Sequence, residues 1–320
     1  MFYRKDKTIR GPFEFIRQND MAAQPSRQDN SNVKFISEKV EIENLKEQLK
    51  SQQVMLQNTT NFLIKAQKEL EVKNKTMFDS ISFASHIQNG LFPTNEVLKG
   101  YFKDSFLHYQ QRDMIGGDMP FVRKSGNDLI VAAVDCTGHG VSGAMLTTMA
   151  HSYLIEIMAQ GVLEPAKMLK LLQKSFSLAF DARTNELFGM DVALVRYNLS
   201  WNVMEFAGAG RPLLQMRDGE LTKWDKTSLG IGMIPDVNFK TQLIEPKPGD
   251  TFYLFSDGVT DQLGDKVPKK FSEKRFRNLV SNVNHLNLEK QKQVILDVLH
   301  SWQGKEEQTD DQIMIGFKIK

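Results

Sequence analysis

The longest regular pattern in the chain is an apolar residue at every seventh position: Ile42, Leu49, Leu56, Leu63, Leu70, Met77, Ala84 and Leu91. Hits held at one phase, across a stretch from about residue 35 to 88 that has neither Gly nor Pro, predict a coiled-coil helix. The companion seam, three residues further on, is Leu45, Gln52, Thr59, Ala66, Lys73, Ser80 and Ile87, polar or small through its middle. Such a helix pairs weakly. It would be about 75 to 80 Å long, too long for a single element of a compact domain; a solvated helix or an antiparallel hairpin is the alternative. "NGLFP" at 89–93 stops it, because Gly90 and Pro93 both oppose continuation. Residues 1–32 end in "AAQPSRQDNSN", polar and without periodicity, and read as a mobile tail. The expected organisation is therefore tail 1–32, helical linker 33–92 and a folded domain 93–320.

From residue 93 the period changes. "FKDSFLHYQQ" and "NDLIVAAVD" read as strands, "KSGND" as a turn, and "DVALVRYNLSWNVMEFAGAG" as a hairpin turning at "NLSWN". In "PLLQMRDGELTKW", Asp218 and Gly219 suit a two-residue turn. Helical patterns interrupt the strands at 140–159 and 165–180, and two more lie between Phe271 and Trp302. Runs of antiparallel strands with helices grouped between them predict an α+β domain, with sheet packed on sheet and helices outside.

Charge and composition then remove alternatives. Lys and Arg total 41 against 39 Asp and Glu, a formal net charge of +2, so no overall field draws the chain to nucleic acid or an acidic membrane. No apolar run approaches the roughly 18 to 20 residues that span a bilayer, and the amino terminus lacks a signal-peptide core; a cytoplasmic protein is expected. With one cysteine there is no internal disulfide and no Cys-based zinc site. No P-loop or Rossmann glycine motif is present.

The remaining chemistry is carboxylate. Asp118 in "MIGGDMP", Asp135 in "LIVAAVDCTGHG", Asp257 in "TFYLFSDGVTD", and the pair Asp310 and Asp311 in "EQTDDQIMIGF" each lie at the end of an apolar run or beside a turn. One such Asp is ordinary turn chemistry. Together, without matched Lys or Arg neighbours, they would repel unless cations sat among them, and oxygen-rich sites suit Mg²⁺ or Mn²⁺. Phosphate ester hydrolysis is the chemistry such a site supports. Cys136 is no rival nucleophile: a cysteine phosphatase carries an arginine six positions on, where this chain has Ser142. His139, between Gly138 and Gly140, is open to three readings: metal ligand, acid, or a residue that shapes the turn.

The set "GGD", "VAAVDCTGHGVSGAML", "FGMDVALVRY", "GAGRPLLQMRDGEL", "LFSDGVTD" and "TDDQIMI", in this order and spacing, resembles the PP2C-like serine/threonine phosphatases of the SpoIIE and RsbU type over about residues 93 to 320. The upstream "DSISFASHIQNGLFP" is similar to the helical lead-in of such domains in bacterial regulators. The resemblance implies an α-β-β-α sandwich and a centre of two Mn²⁺ or Mg²⁺ ions. It places Asp135 as the bridging ligand with the carbonyl of Cys136 beside it, Asp118 on one metal, and Asp257 and Asp310 on the other. Asp310 is chosen over Asp311 because the family's ligand comes first in the pair. A metal-bridging hydroxide would attack phosphorus without a phosphoenzyme. Arg112, six residues before Asp118, and His139 are the implied substrate contacts, His139 through the turn it shapes. Met119 and Pro120 depart from the aromatic residues that commonly follow "GGD".

The expected activity is dephosphorylation of a small regulatory phosphoprotein, a STAS-type anti-sigma antagonist or similar, by a homodimer paired through residues 35–91. The rival is a catalytically inactive scaffold that binds phosphoprotein and is controlled by the same dimerisation.

Overall fold

The computed structural model describes residues 27–180, 188–232, 234, 237–266 and 269–320. The chain divides into two compact units, residues 1–74 and 75–320. Helix α1 (Arg27–Leu91) begins upstream of the heptads, so residues 27–32, read as tail, are helical; the rest of that tail lies outside the described residues. In the first unit the side chains of residues 31–74 are all exposed, heptad leucines included.

The second unit is organised by strands whose two faces are both covered. In chain order its elements are α2 (Asn95–Lys99), β1 (Asp104–Gln110), β2 (Asp118–Ser125), β3 (Asp128–Cys136), α3 (Gly140–Ala159), α4 (Pro165–Ala179), β4 (Met190–Asn198) and β5 (Val203–Ala209). There follow β6 (Leu213–Arg217), β7 (Glu220–Trp224), β8 (Gln242–Ile244), β9 (Thr251–Phe255), α5 (Asp257–Asp261), α6 (Glu273–Val283), α7 (Leu288–Gln303) and β10 (Gln312–Lys318). Two antiparallel five-stranded sheets result, ordered β1-β10-β9-β6-β7 and β2-β3-β4-β5-β8.

Strand β3 shows why its sequence is uniformly apolar rather than alternating. Leu129, Val131 and Ala133 pack into the core between the sheets with Phe252, Leu254, Ile313 and Ile315. Ile130, Ala132 and Val134 pack on the other face, against Leu146, Ala150 and Leu154 of α3 and Leu169, Leu172 and Phe176 of α4. A period of two that is buried on both faces reads as a continuous apolar run. Burying each large side chain contributes about 1.5–3 kcal/mol. The outer face of the first sheet is covered in the same way: Phe106, Tyr253, Phe255 and Met314 meet Phe276 and Val280 of α6 and Ile295 and Leu299 of α7. The order of layers is α-β-β-α, as expected.

Local chemistry fixes the ends. Glu164 accepts from the amides of Ala166 and Lys167, both at 3.2 Å, with Pro165 opening α4. Asn287 caps α7 through Lys290 N at 2.9 Å. At the β6–β7 turn Asp218 and Gly219 take φ of 50° and 83°, the left-handed pair that a two-residue hairpin turn requires. Three short elements, α2, α5 and β8, have no counterpart in the sequence reading.

Candidate metal centre

Parity along the strands places the carboxylates. On β3, residue 135 continues the series 129, 131, 133 that faces the opposite sheet, so Asp135 emerges at the end of the inter-sheet core while Cys136 turns to the helical layer. Asp118, in phase with the inter-sheet Val122, stands directly across from Asp135 in the β2–β3 register. On the other side, Asp191 of β4, in phase with Ala193 and Val195, is the Cα partner of the same Asp135. Three carboxylates therefore form a row across neighbouring strands. Like charges directly opposite one another destabilise a sheet, so the row requires compensation.

The opposing sheet supplies the rest. Asp257 follows β9 and opens α5, and its amide lies 3.5 Å from Asp135 Oδ2. Asp310 and Asp311 immediately precede β10. The two members of that pair differ in their engagements. Asp311 is buried, with Oδ1 accepting from Arg112 N at 2.7 Å and Oδ2 from Gly117 N at 2.6 Å. Its carboxylate ties the "GGD" segment to β10. Asp310 is more open: its carboxylate accepts from the adjacent Asp311 amide at 2.9 Å, and its carbonyl accepts from Gln308 Nε2 at 2.7 Å.

An arginine stands among these carboxylates, contrary to the expectation that no cationic side chain is matched to them. Arg211 lies on the connection from β5 to β6, where the chain crosses from one sheet to the other. Its guanidinium is 2.8 Å from Asp135, 2.5 Å from Asp257 and 3.3 Å from Asp191. The side chain is only 12% exposed. Burial opposes its charge, but the three carboxylates raise its pKa further. Arg112, the arginine singled out from sequence, is exposed; its guanidinium donates to Thr309 O at 3.3 Å. Asp191 and Arg211 lie inside the quoted motifs but are not among the site residues the sequence predicts. The signal was available for Asp191, another Asp at the end of an apolar strand.

Burial, followed by the neighbouring Asp135 carboxylate, pushes Asp118 well above the usual carboxylate range. Burial pushes Asp135 up to about 8, with Arg211 pulling the other way. Asp191, Asp310 and Asp311 are raised as well, chiefly by burial. The Cys136 thiol is buried and held well above its ordinary value, first by burial and then by Asp135 and Asp118; it stays protonated and inert.

His139 is the residue before α3, half-exposed, with Nδ1 2.8 Å from Asp113 Oδ2. Around it the backbone is closely packed. A side chain at Gly117 would collide with the Gly138 and Cys136 carbonyls, and one at Gly258 with the Asp311 carbonyl. The "GGD" segment is also held from α1: buried Gln88 donates to Gly116 O at 2.7 Å and Thr147 Oγ1 at 2.9 Å, and accepts from Gly116 N at 3.2 Å.

These donors fit a hard divalent cation. They are carboxylate oxygens, and Asp118 Oδ2 is buried without a hydrogen-bond partner, a costly state unless a cation satisfies it. Among the described residues no three acidic, His or Cys side chains are grouped as a ready-formed metal cage. The Arg211 guanidinium lies between Asp135, Asp191 and Asp257.

The family model described as Stage II sporulation protein E (SpoIIE) matches residues 125–320. The chain belongs to the SpoIIE family. Similar proteins include the phosphoserine phosphatase RsbU of Bacillus subtilis (strain 168), 23% identical over 184 residues, which are 57% of this chain and 53% of the relative. The phosphoserine phosphatase RsbP of the same organism is 25% identical over 133 residues, 41% of this chain and 33% of that protein. The chain thus spans between a third and about half the length of these two relatives. Among solved structures, the SiaA-PP2C domain of Pseudomonas aeruginosa superposes with a TM-score of 0.70 at 28% identity, covering 77% of this chain and 98% of that domain. The PP2C domain of SpoIIE from Bacillus subtilis shares the fold, with a TM-score of 0.55 at 17% identity over 68% of this chain and 63% of that one. The second unit is thus a PP2C-like domain of the SpoIIE and RsbU type.

Proposed function

We propose that the chain is a Mn²⁺- or Mg²⁺-dependent protein serine/threonine phosphatase acting on a small regulatory phosphoprotein, of STAS type or similar, in bacterial signalling. One observation carries the reading. Asp118, Asp135 and Asp191 form a row on one sheet, and Asp257 and Asp310, just beyond β9 and just before β10 of the other sheet, lie within electrostatic reach of it. The relatives named phosphoserine phosphatases suggest the substrate class.

In this reading Asp118, Asp135, Asp257, Asp310 and the carbonyl of Cys136 hold two divalent ions. Such ions supply positive charge to a phosphoryl group and acidify water. Asp311 serves the backbone, fixing the "GGD" segment, which supports Asp310 as the ligand of the pair. His139, whose Nδ1 lies 2.8 Å from Asp113 Oδ2, shapes the turn into α3 beside these ligands. Pairing of two copies through residues 35–91 belongs to the same proposal, supported by the exposed leucines of α1.

Asp135→Ala in the full chain should reduce Mn²⁺-dependent hydrolysis of p-nitrophenyl phosphate and of a phosphoserine protein to background, with folding checked by circular dichroism. Undiminished hydrolysis by that variant would overturn the site; hydrolysis by the parent protein undiminished in EDTA would overturn the metal dependence.

A further inference from the structure

Three carboxylates and one guanidinium share the end of the inter-sheet core, and the guanidinium is built into the chain. We propose that Arg211 is a tethered cation that holds Asp135 and Asp257 in competition with the divalent ion, so that the chain itself sets how tightly the site takes up metal. The inference rests on the metal-dependent reading above.

The geometry supports competition rather than bystander contact. Arg211 Nη2 approaches Asp135 Oδ2 at 2.8 Å and Asp257 Oδ2 at 2.5 Å, so the proposed ligands from opposite sheets converge on one nitrogen. Charge-assisted contacts of that length are strong. A cation bound by the same oxygens must displace them from the guanidinium.

The backbone does not give way easily. Gly210 donates to Thr227 O at 3.0 Å, its carbonyl accepts from Lys226 Nζ, and its φ is +71°. Release of the two carboxylates is therefore a side-chain movement. The third partner provides its destination: Asp191 lies 3.3 Å from Arg211 Nε, an ion pair by distance whose N–H is not aligned as a hydrogen bond. A rotation that leaves Asp135 and Asp257 can improve this contact. The arginine then remains paired in either arrangement, which a buried charge requires.

The test compares the parent protein with Arg211→Gln and Arg211→Lys, all full length. Mn²⁺ binding is measured by calorimetric titration, and melting temperature is measured in EDTA and in Mn²⁺. An opposite charge at contact distance changes a carboxylate's affinity for a proton by about one to three powers of ten, and the same competition should make R211Q bind Mn²⁺ about ten- to a thousandfold more tightly. In EDTA, R211Q should melt about 5 °C or more below the parent protein, because its carboxylates have lost their counter-charge. R211K keeps the charge but loses the fork, and should bind Mn²⁺ with intermediate affinity. Should R211Q be unfolded in EDTA, its Mn²⁺-driven refolding midpoint and the R211K titration carry the comparison. Unchanged or weaker Mn²⁺ binding in both variants, with the parent protein binding normally, overturns the inference and leaves the metal reading standing. Absence of Mn²⁺ binding in all three proteins overturns the metal reading itself, and the inference with it.

Discussion

Asp135 and Cys136 are neighbours in sequence with opposite fates, because successive residues of a strand face opposite sides of the sheet. Asp135 faces the other sheet and the carboxylates; Cys136 faces α3 and α4. Cys136→Ala should therefore retain phosphatase activity within about twofold and lower stability by about 1 kcal/mol, the cost of a small core truncation. In the native protein the thiol should resist a water-soluble disulfide reagent until denaturant is added. The sequence made Asp118, Asp135 and Asp257 legible because each carboxylate interrupts or follows an apolar run. Arg211 was not legible as a site residue. It gains its role only when the β5–β6 connection brings it to carboxylates between 20 and 76 positions away, a non-local juxtaposition that no spacing encodes. Arg112, close to Asp118 in sequence, is exposed and donates from its guanidinium to Thr309 O.

At the scale of elements, β1 carries a buried imidazole that couples its packing to pH. His108 is buried, and desolvation, then Lys292 and to a smaller extent His300, lowers its pKa from 6.5 to about 4, while a hydrogen bond with Gln312 works the other way. The unfolded chain binds the proton more readily, so this histidine favours the fold above pH 6.5 and opposes it increasingly as pH falls toward 4. The linked loss approaches about 3 kcal/mol. His108→Leu should flatten the fall in melting temperature over that pH range; an unchanged slope would count against the assignment. The end of α1 offers a second prediction. Gln88→Ala removes the bonds to Gly116 and Thr147, costs about 1–3 kcal/mol by leaving buried groups unpaired, and should speed amide exchange at residues 115–118 together with a loss of activity. Long elements were readable from period, turn residues and caps. The five-residue α2 and α5 and three-residue β8 are too short to carry a period, and their existence depends on the strands they join or pair with.

At the scale of the molecule, heptads made the long helix visible, and strand-rich texture made the layered sandwich visible. The order of strands within each sheet was not, because pairing partners such as β1 and β10 are set by closure of the core rather than by adjacency. The heptad leucines of α1 are exposed, Leu49 at 58% and Leu56 at 69%, which a second copy would cover. Replacing Leu49, Leu56 and Leu63 with Glu in the full chain should halve its mass by light scattering at micromolar concentration while leaving the circular dichroism of the sheets intact. A parent protein that is already monomeric there would exclude pairing through this seam.

The placement of β10 has a consequence for how the protein is made. It is the last strand in chain order, yet it sits between β1 and β9, and the Asp310–Asp311 pair rides on its leading end. A nascent chain emerging from the ribosome can assemble β2-β3-β4-β5, with three of the carboxylates, long before that strand arrives. The gap between β1 and β9 stays open until then, and the "GGD" segment has no Asp311 to hold its amides. The proposed centre therefore gains Asp310 and Asp311 only when β10 pairs between β1 and β9.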